Sequence, residues 1–271
     1  VRLRVALGQA STSERKEENL KRGVELISEA SKRGADILIL PELFMAYLPL
    51  SEPAETYLSV AEPVQGVFTQ VLAAEARRKQ LFVAVGILEK NPDGRKVHNT
   101  VVLIGPDGKV LSKHRKLQLF DSFGFRESDR ITPGEAFEGA FQTGLGKMGM
   151  MTCFELRFPE LARMLALEGA ELIIVPTAWV SGRLKEDHLI TLARARAIEN
   201  TVFVAVACQT GRIFTGRSMV VDPFGVVLCD GGDEEGLVVT DIDLTRINRV
   251  REYLPTLELL RRDAISKFWK T

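Results

Sequence analysis

Short aliphatic runs alternate with amphipathic stretches along most of the chain. Leu3 to Gln9 reads as a first strand, and Asp36-Ile37-Leu38-Ile39-Leu40 as a second whose unbroken aliphatic run marks burial on both faces. Between them Leu20, Val24, Ile27 and Ala30 recur at helical spacing, which predicts a helix over 14–33 with Ser13 as its cap and Gly34 as its end. A loop rich in proline and acidic residues leads to a helix over 68–79 and a strand over 82–88. Val97 to Ile104 and Val110 to His114 are strands joined by Gly105-Pro106-Asp107-Gly108, a strong hairpin turn. Residues 117–135 read as a long polar loop carrying Phe120, Phe123 and Phe125, and a loop of that length in a compact domain is more often functional than idle.

The stretch 147–160 divides in two. Its first part is short and apolar, with the length of a buried strand; its second is polar and carries Pro159, suited to the first turn of a helix over 158–168. Cys153 stands at the joint. After it come a strand over 170–175, a helix over 186–200, strands over 202–208, 218–221, 226–228 and 237–241, a last helix and an extended tail.

Two segments repeat. Gly34-Ala35-Asp36-Ile37-Leu38-Ile39-Leu40-Pro41 is echoed by Gly169-Ala170-Glu171-Leu172-Ile173-Ile174-Val175-Pro176, and the hairpin over 104–111 by that over 221–228. Halves with the same helix, strand and hairpin logic predict two similar layers packed sheet on sheet with helices outside, a four-layer α-β-β-α sandwich of the α/β class. With no linker visible, residues 1–271 read as a single domain whose C-terminal extension, from about residue 250, serves oligomerisation.

Composition narrows the function classes. Lys and Arg together number 36, as do Asp and Glu, so the net charge is zero and no electrostatic footprint for nucleic acid or an anionic membrane is present. No apolar run approaches the ~18 residues of a membrane span. The three cysteines, Cys153, Cys208 and Cys229, form no CxxC pair, and the three histidines show no metal-ligand spacing. Free thiols, no metal, no cofactor and a cytoplasmic location are the expectations.

Three groups with chemistry fall just past strand ends, where open α/β sheets form their sites: Glu42, Lys116 and Cys153. Each also has an ordinary explanation: a solvated glutamate, a charged surface cluster over 113–116, a small buried hydrophobe. Together, a thiol, a base and a cation supply the parts for acyl transfer through a thioester. A thiol on a sharp strand-to-helix turn is lifted towards solvent, and a nearby helix N-terminus favours its thiolate. A Cys–His pair with His188 is the competing arrangement.

The blocks Leu38-Ile39-Leu40-Pro41-Glu42, Arg115-Lys116-Leu117-Gln118-Leu119-Phe120, Cys153-Phe154-Glu155-Leu156-Arg157-Phe158-Pro159-Glu160 and Arg194-Ala195-Arg196-Ala197-Ile198-Glu199-Asn200 resemble, in this order, those of the nitrilase superfamily of carbon–nitrogen hydrolases. The resemblance runs from Val5 to about Asp263. It implies a Glu42–Lys116–Cys153 triad, a second glutamate at Glu127, and an oxyanion site at Lys116 and the backbone N–H of Phe154. An ordinary loop pairing of Glu127 with Arg126 or Arg130 stays open.

The third block is most similar to the amidase branch of ω-amidases and deaminated-glutathione amidases, which implies a small carboxylate-bearing amide, hydrolysed to acid and ammonia. An N-carbamoyl amidohydrolase, releasing carbon dioxide as well, is the alternative with the same triad. Nitrile hydrolysis fits less well, because Phe154 stands where nitrilases of this superfamily typically have tryptophan; a non-catalytic scaffold would be expected to lose one of the four groups. Arg126 and Arg157 are candidates for a substrate carboxylate, since a guanidinium suits it bidentately, against salt-bridge roles for both. Trp179 lines the pocket or belongs to the core. Gln118, Leu189, Glu155 and the segment 180–185 depart from the branch's usual residues, so the rim of the pocket is expected to be reshaped. Family members commonly dimerise, and the apolar tail Leu254 to Leu260 predicts at least a homodimer.

Overall fold

The computed structural model describes residues 1–211 and 213–265. In chain order the elements are β1 (Arg2–Gln9), α1 (Lys16–Lys32), β2 (Ile37–Ile39), α2 (Ala54–Val60), α3 (Val67–Lys79), β3 (Phe82–Lys90), β4 (Val97–Ile104), β5 (Val110–Arg115), β6 (Phe141–Thr143), β7 (Gly146–Met150), α4 (Pro159–Leu167), β8 (Leu172–Thr177), α5 (Lys185–Asn200), β9 (Phe203–Cys208), β10 (Met219–Val221), β11 (Val227–Asp230), β12 (Gly236–Asp243), α6 (Thr245–Tyr253) and α7 (Arg262–Ile265).

Two six-stranded sheets have the orders β12-β1-β2-β3-β4-β5 and β11-β10-β9-β8-β7-β6. In the first, β1, β2 and β3 are parallel and β4, β5 and β12 run antiparallel to their neighbours. The second repeats the scheme with β7, β8 and β9 parallel and β10, β11 and β6 antiparallel. The sequence echo is therefore a structural repeat: β2 and β8 are the central parallel strands, and the echoed hairpins close the corresponding edges.

Period-two side chains feed two different cores from each strand. Ile37 and Ile39 of β2 join Leu172 and Ile174 of β8 between the sheets. Leu38 and Leu40 turn outward against α1 and α3, while Ile173 and Val175 face α4 and α5. Four layers, α-β-β-α, result, as the hydrophobic pattern predicts.

The differences have local causes. Helix α1 begins at Lys16 with Arg15 at its N-cap, not with Ser13. Ser13 instead makes a turn, its Oγ accepting from the Arg15 N–H at 3.1 Å and donating to Glu18 at 2.8 Å. The buried face of α1 carries Asn19, Gly23, Leu26, Ile27 and Ala30, so Leu20 and Val24 lie at its margin. Strand β2 keeps only Ile37–Ile39 of the predicted run. Helix α2 interrupts the segment read as loop; its single turn or two is too short for periodicity to reveal, and it is pinned by the Tyr57 hydroxyl donating to the Leu48 carbonyl at 2.7 Å. Strand β6, three residues long, also escapes the pattern.

Gly86 in β3 has a packing reason for lacking a side chain. A Cβ there would lie 2.6–2.7 Å from the Leu43 nitrogen, the Glu42 Cα and the Pro41 oxygen. The bare backbone lets the chain after β2 dock, with the Gly86 N–H donating to the Pro41 carbonyl and Met45 N–H to the Gly86 carbonyl. Among the described residues no helix is long and apolar enough to cross a membrane, and no group of three or more acidic, histidine or cysteine side chains is arranged to hold a metal. The end of the expected oligomerisation extension, residues 266–271, lies outside the described residues.

Candidate active site

Glu42, Lys116 and Cys153 follow β2, β5 and β7 and meet in one pocket that Glu127 also lines. All four are more than nine-tenths buried. The Lys116 ammonium donates to Glu42 Oε1 at 2.8 Å and to Glu127 Oε2 at 2.9 Å. Glu127 also accepts from the Phe120 N–H at 2.6 Å, and it pairs with neither Arg126 nor Arg130. Glu42 Oε2 accepts from the Ala178 N–H at 2.8 Å.

Charge bookkeeping explains the ionisation states. Burial alone would discharge Lys116, but Glu127 and Glu42 outweigh it and hold its ammonium well above the usual lysine range. The amine is therefore a fixed cation with three donors, of which two are used by carboxylates. Cys153 goes the other way. Burial pushes its thiol up, and the Glu42 charge and hydrogen bond push it further, against the weaker pull of Lys116 and the Ala178 N–H. The expected low-pKa thiolate is thus not the resting form. A 3-10 turn over Cys153–Arg157 separates the thiol from the start of α4 at Pro159, so the helix end is too far along the chain to compensate. Cys153 does adopt the sharp elbow, with φ +44°, a left-handed conformation that a non-glycine residue holds only under constraint from its surroundings.

Several site residues were not singled out from the sequence. Asn99, fully buried in β4, donates to Glu42 Oε1 at 2.8 Å and to Glu127 Oε1 at 3.0 Å, tying the two carboxylates together. Its signal is a β-poor amide in an otherwise buried strand. Glu155 connects two of the strand ends: it accepts from the Thr152 N–H at 2.6 Å, the Leu117 N–H at 2.7 Å and His114 Nε2 at 2.7 Å. Burial pushes its carboxyl up, yet His114 and the backbone donors prevail and hold it below the usual range. Residues flanking Cys153 and Lys116 thus share one buried carboxylate. Gln209 fixes the backbone of Glu42, donating to its carbonyl at 2.8 Å.

The remaining candidates separate. Arg157 lines the pocket, its guanidinium carbon 4.8 Å from the Trp179 ring centroid and 5.8 Å from that of Phe154. Its Nε is buried without a hydrogen-bond partner, and no ion pair joins it to a carboxylate among the described residues. Trp179 lines the same pocket and donates from Nε1 to the Lys185 carbonyl at 2.7 Å. Arg126 lies elsewhere: its side chain is 74% exposed and faces Asp129, in a surface depression beside Tyr47 and Arg130. The loop turns its side chain to solvent, outside the lining of the Cys153 pocket. His188, on α5, does not line the pocket, which leaves the Cys–His arrangement without a base. Arg196 and Glu199 pair on α5 at 2.9 Å. Phe120 and Phe125 form one wall, with rings 5.2 Å apart, and the exposed Phe123 ring has its centroid 5.8 Å from the Arg157 guanidinium carbon.

Replacing Glu42 by Gln removes the carboxylate charge that raises the Cys153 pKa. The thiolate absorbance of the Glu42→Gln protein is therefore expected to appear at lower pH than in the unsubstituted protein, referenced to Cys153→Ala. An unchanged or raised transition contradicts the electrostatic assignment.

The sequence profile of the carbon–nitrogen hydrolase family matches residues 4–252. The chain is 37% identical to omega-amidase NIT2 of Mus musculus over 96% of this chain and 95% of that protein. It is 32% identical to deaminated glutathione amidase of Escherichia coli O157:H7, over 93% and 95% of the two chains. Nit3 of Saccharomyces cerevisiae, a member of branch 10 of the nitrilase superfamily, superposes with a TM-score of 0.85 at 29% identity, covering 96% of each chain. With this match in sequence and in both sheets, the chain belongs to the carbon–nitrogen hydrolase family of the nitrilase superfamily.

Proposed function

We propose that the protein hydrolyses the linear C–N bond of a small carboxylate-bearing amide to acid and ammonia, through a thioester on Cys153. The observation that carries this reading is the single buried cluster in which Lys116 joins Glu42 and Glu127 in the pocket that Cys153 also lines. Similarity to proteins named as amidases supports it.

In the proposed chemistry Glu42 accepts the thiol proton as Sγ attacks the amide carbon. A neutral thiol next to a carboxylate suits this step, since proton and bond move together and no buried thiolate has to be maintained. Lys116 cannot be the base, because both carboxylates keep it protonated. Its third N–H is left for the oxyanion, together with the Phe154 N–H, which lies in the first turn of the 3-10 segment and lacks a partner one turn back. Glu42 then passes its proton to the nitrogen, the C–N bond breaks and ammonia leaves. Water, deprotonated by Glu42, attacks the thioester; the C–S bond breaks, the acid departs and the proton returns to sulfur. Glu127 holds Lys116 and, with Asn99, the spacing between the carboxylates. No cofactor takes part in this scheme.

Arg157 is the proposed anchor for the substrate carboxylate. It is a cation stacked on Trp179, with no acidic partner among the described residues, in the pocket that Cys153 lines. Its guanidinium would engage both carboxylate oxygens.

We further infer a homodimer. Ile198 on α5 with Phe224 and Val226 in the β10–β11 turn form an exposed apolar group, with exposures of 37%, 49% and 51%. Leu259 in the tail is 73% exposed. Light scattering at micromolar protein is expected to give twice the chain mass; a monomer contradicts it.

Ammonia and carbon dioxide release from a panel of ω-amides of dicarboxylic and 2-oxo acids, plain aliphatic amides and N-carbamoyl amines tests the reaction. Ammonia alone, from the carboxylate-bearing amides, is expected, with none from Cys153→Ala. Arg157→Met is expected to raise KM for those amides by about tenfold or more, the scale of a lost charged hydrogen bond, with little change for neutral amides. Ammonia with carbon dioxide in equal amounts would point to the carbamoyl reaction instead.

A further inference from the structure

Lys185 was read from the sequence only as part of an altered pocket rim. It opens α5 and is 8% exposed, with its side chain lining the pocket of Cys153. Leu184, at φ +56°, turns the chain into the helix, and the bond from Trp179 Nε1 to the Lys185 carbonyl fixes its backbone. The ammonium lies 3.3 Å from the Phe123 ring centroid, and the same ring is 5.8 Å from the Arg157 guanidinium carbon.

No carboxylate pairs with Lys185 among the described residues. The acids that follow it on α5, Glu186 and Asp187, are exposed, and Glu186 faces Arg217 at 3.3 Å. Across the pocket, Glu42 and Glu127 are committed to Lys116 and Asn99. The charged neighbour it does meet is Arg157. Burial first, then repulsion from Arg157, hold Lys185 below the usual lysine range, with Cys153 opposing. A buried ammonium beside a guanidinium, at the positive end of a helix, is unfavourable in the free protein. An anion in the pocket would relieve it.

We infer that Lys185 is a second anion-recognising residue, and that the substrate is a monoamide whose acid portion carries two anionic groups, one for Arg157 and one for Lys185. This rests on the amide-hydrolase reading above. Arg157 saturates one carboxylate when it binds bidentately. Both cations line the same pocket, so an Arg157 engaged with one carboxylate leaves Lys185 to take an acceptor of its own. Specificity follows from the mismatch: an amide with a single carboxylate leaves one buried cation unpaired.

Calorimetry on the full-length Cys153→Ala protein tests this with two amides, glutaric acid monoamide and a terminal monoamide of propane-1,2,3-tricarboxylic acid. The second is expected to bind about tenfold tighter or more, the scale of an added charged hydrogen bond. Adding Lys185→Met is expected to bring the two affinities together, while Lys185→Arg keeps the preference. A preference that survives Lys185→Met, or equal binding at the outset, overturns the inference and leaves Lys185 as a pin beneath Phe123. Turnover of the one-carboxylate amide by the unsubstituted protein, with no gain from the second anion, overturns this inference alone. Failure of both amides to bind or turn over overturns it together with the reading beneath it.

Discussion

One buried ammonium between two buried carboxylates is the constraint on which the site depends. Lys116 holds Glu42 and Glu127 at 2.8 and 2.9 Å, and Asn99 bridges the same pair from the other side. Removing Lys116 would leave two buried carboxylates without a cation, and breaking a buried pair in this way typically costs about 3–5 kcal/mol. The cluster carries one more negative than positive charge, and that excess sets the chemistry next to it. It keeps Lys116 charged and Cys153 protonated. A neutral thiol calls for a base, and in the proposed chemistry Glu42, which lines the same pocket, takes that role.

The fold supplies the precision that such a cluster requires. Three strand ends from two sheets contribute the groups, so the sheets must keep their register for the contacts to hold. Glu155 binds the backbone on either side of the gap, at Thr152 beside Cys153 and at Leu117 beside Lys116. On the opposite flank, Gly86 allows the backbone around Glu42 to dock on β3, and Gln209 of the other sheet grips the Glu42 carbonyl. The pocket is aromatic and carries two cations without acidic partners among the described residues, which is the basis for the proposed anionic substrate.

Much of this was legible in the sequence for identifiable reasons. The aliphatic runs at 37–40 and 172–175 are buried on both faces, which is why continuous hydrophobicity located them and why their echo forecast a second sheet. Glu42, Lys116 and Cys153 each stand just past a predicted strand, so the rule that sites gather at strand ends singled them out. Asn99 and Glu155 escaped because each sits one step from that rule: one inside a strand, the other hidden in a block read for its cysteine and arginine. Arg126 and Arg157 looked equivalent, and only the course of the 117–135 loop separates an exposed partner of Asp129 from an unpaired cation over Trp179. The thiolate expectation failed on magnitude. Proximity to a helix end is worth at most a kcal/mol or two, and burial beside a carboxylate outweighs it.

The central claim is that the amide passes through a thioester on Cys153. Acid-quenching the protein during turnover of a carboxylate-bearing ω-amide, followed by peptide mass analysis, tests it most directly. The account predicts that the peptide containing Cys153 gains the mass of the acyl group, that the adduct is lost on standing with water at neutral pH, and that Glu42→Gln fails to form it. Sustained release of ammonia with Cys153 unmodified at every quench time, or the acyl group on another residue, would contradict it.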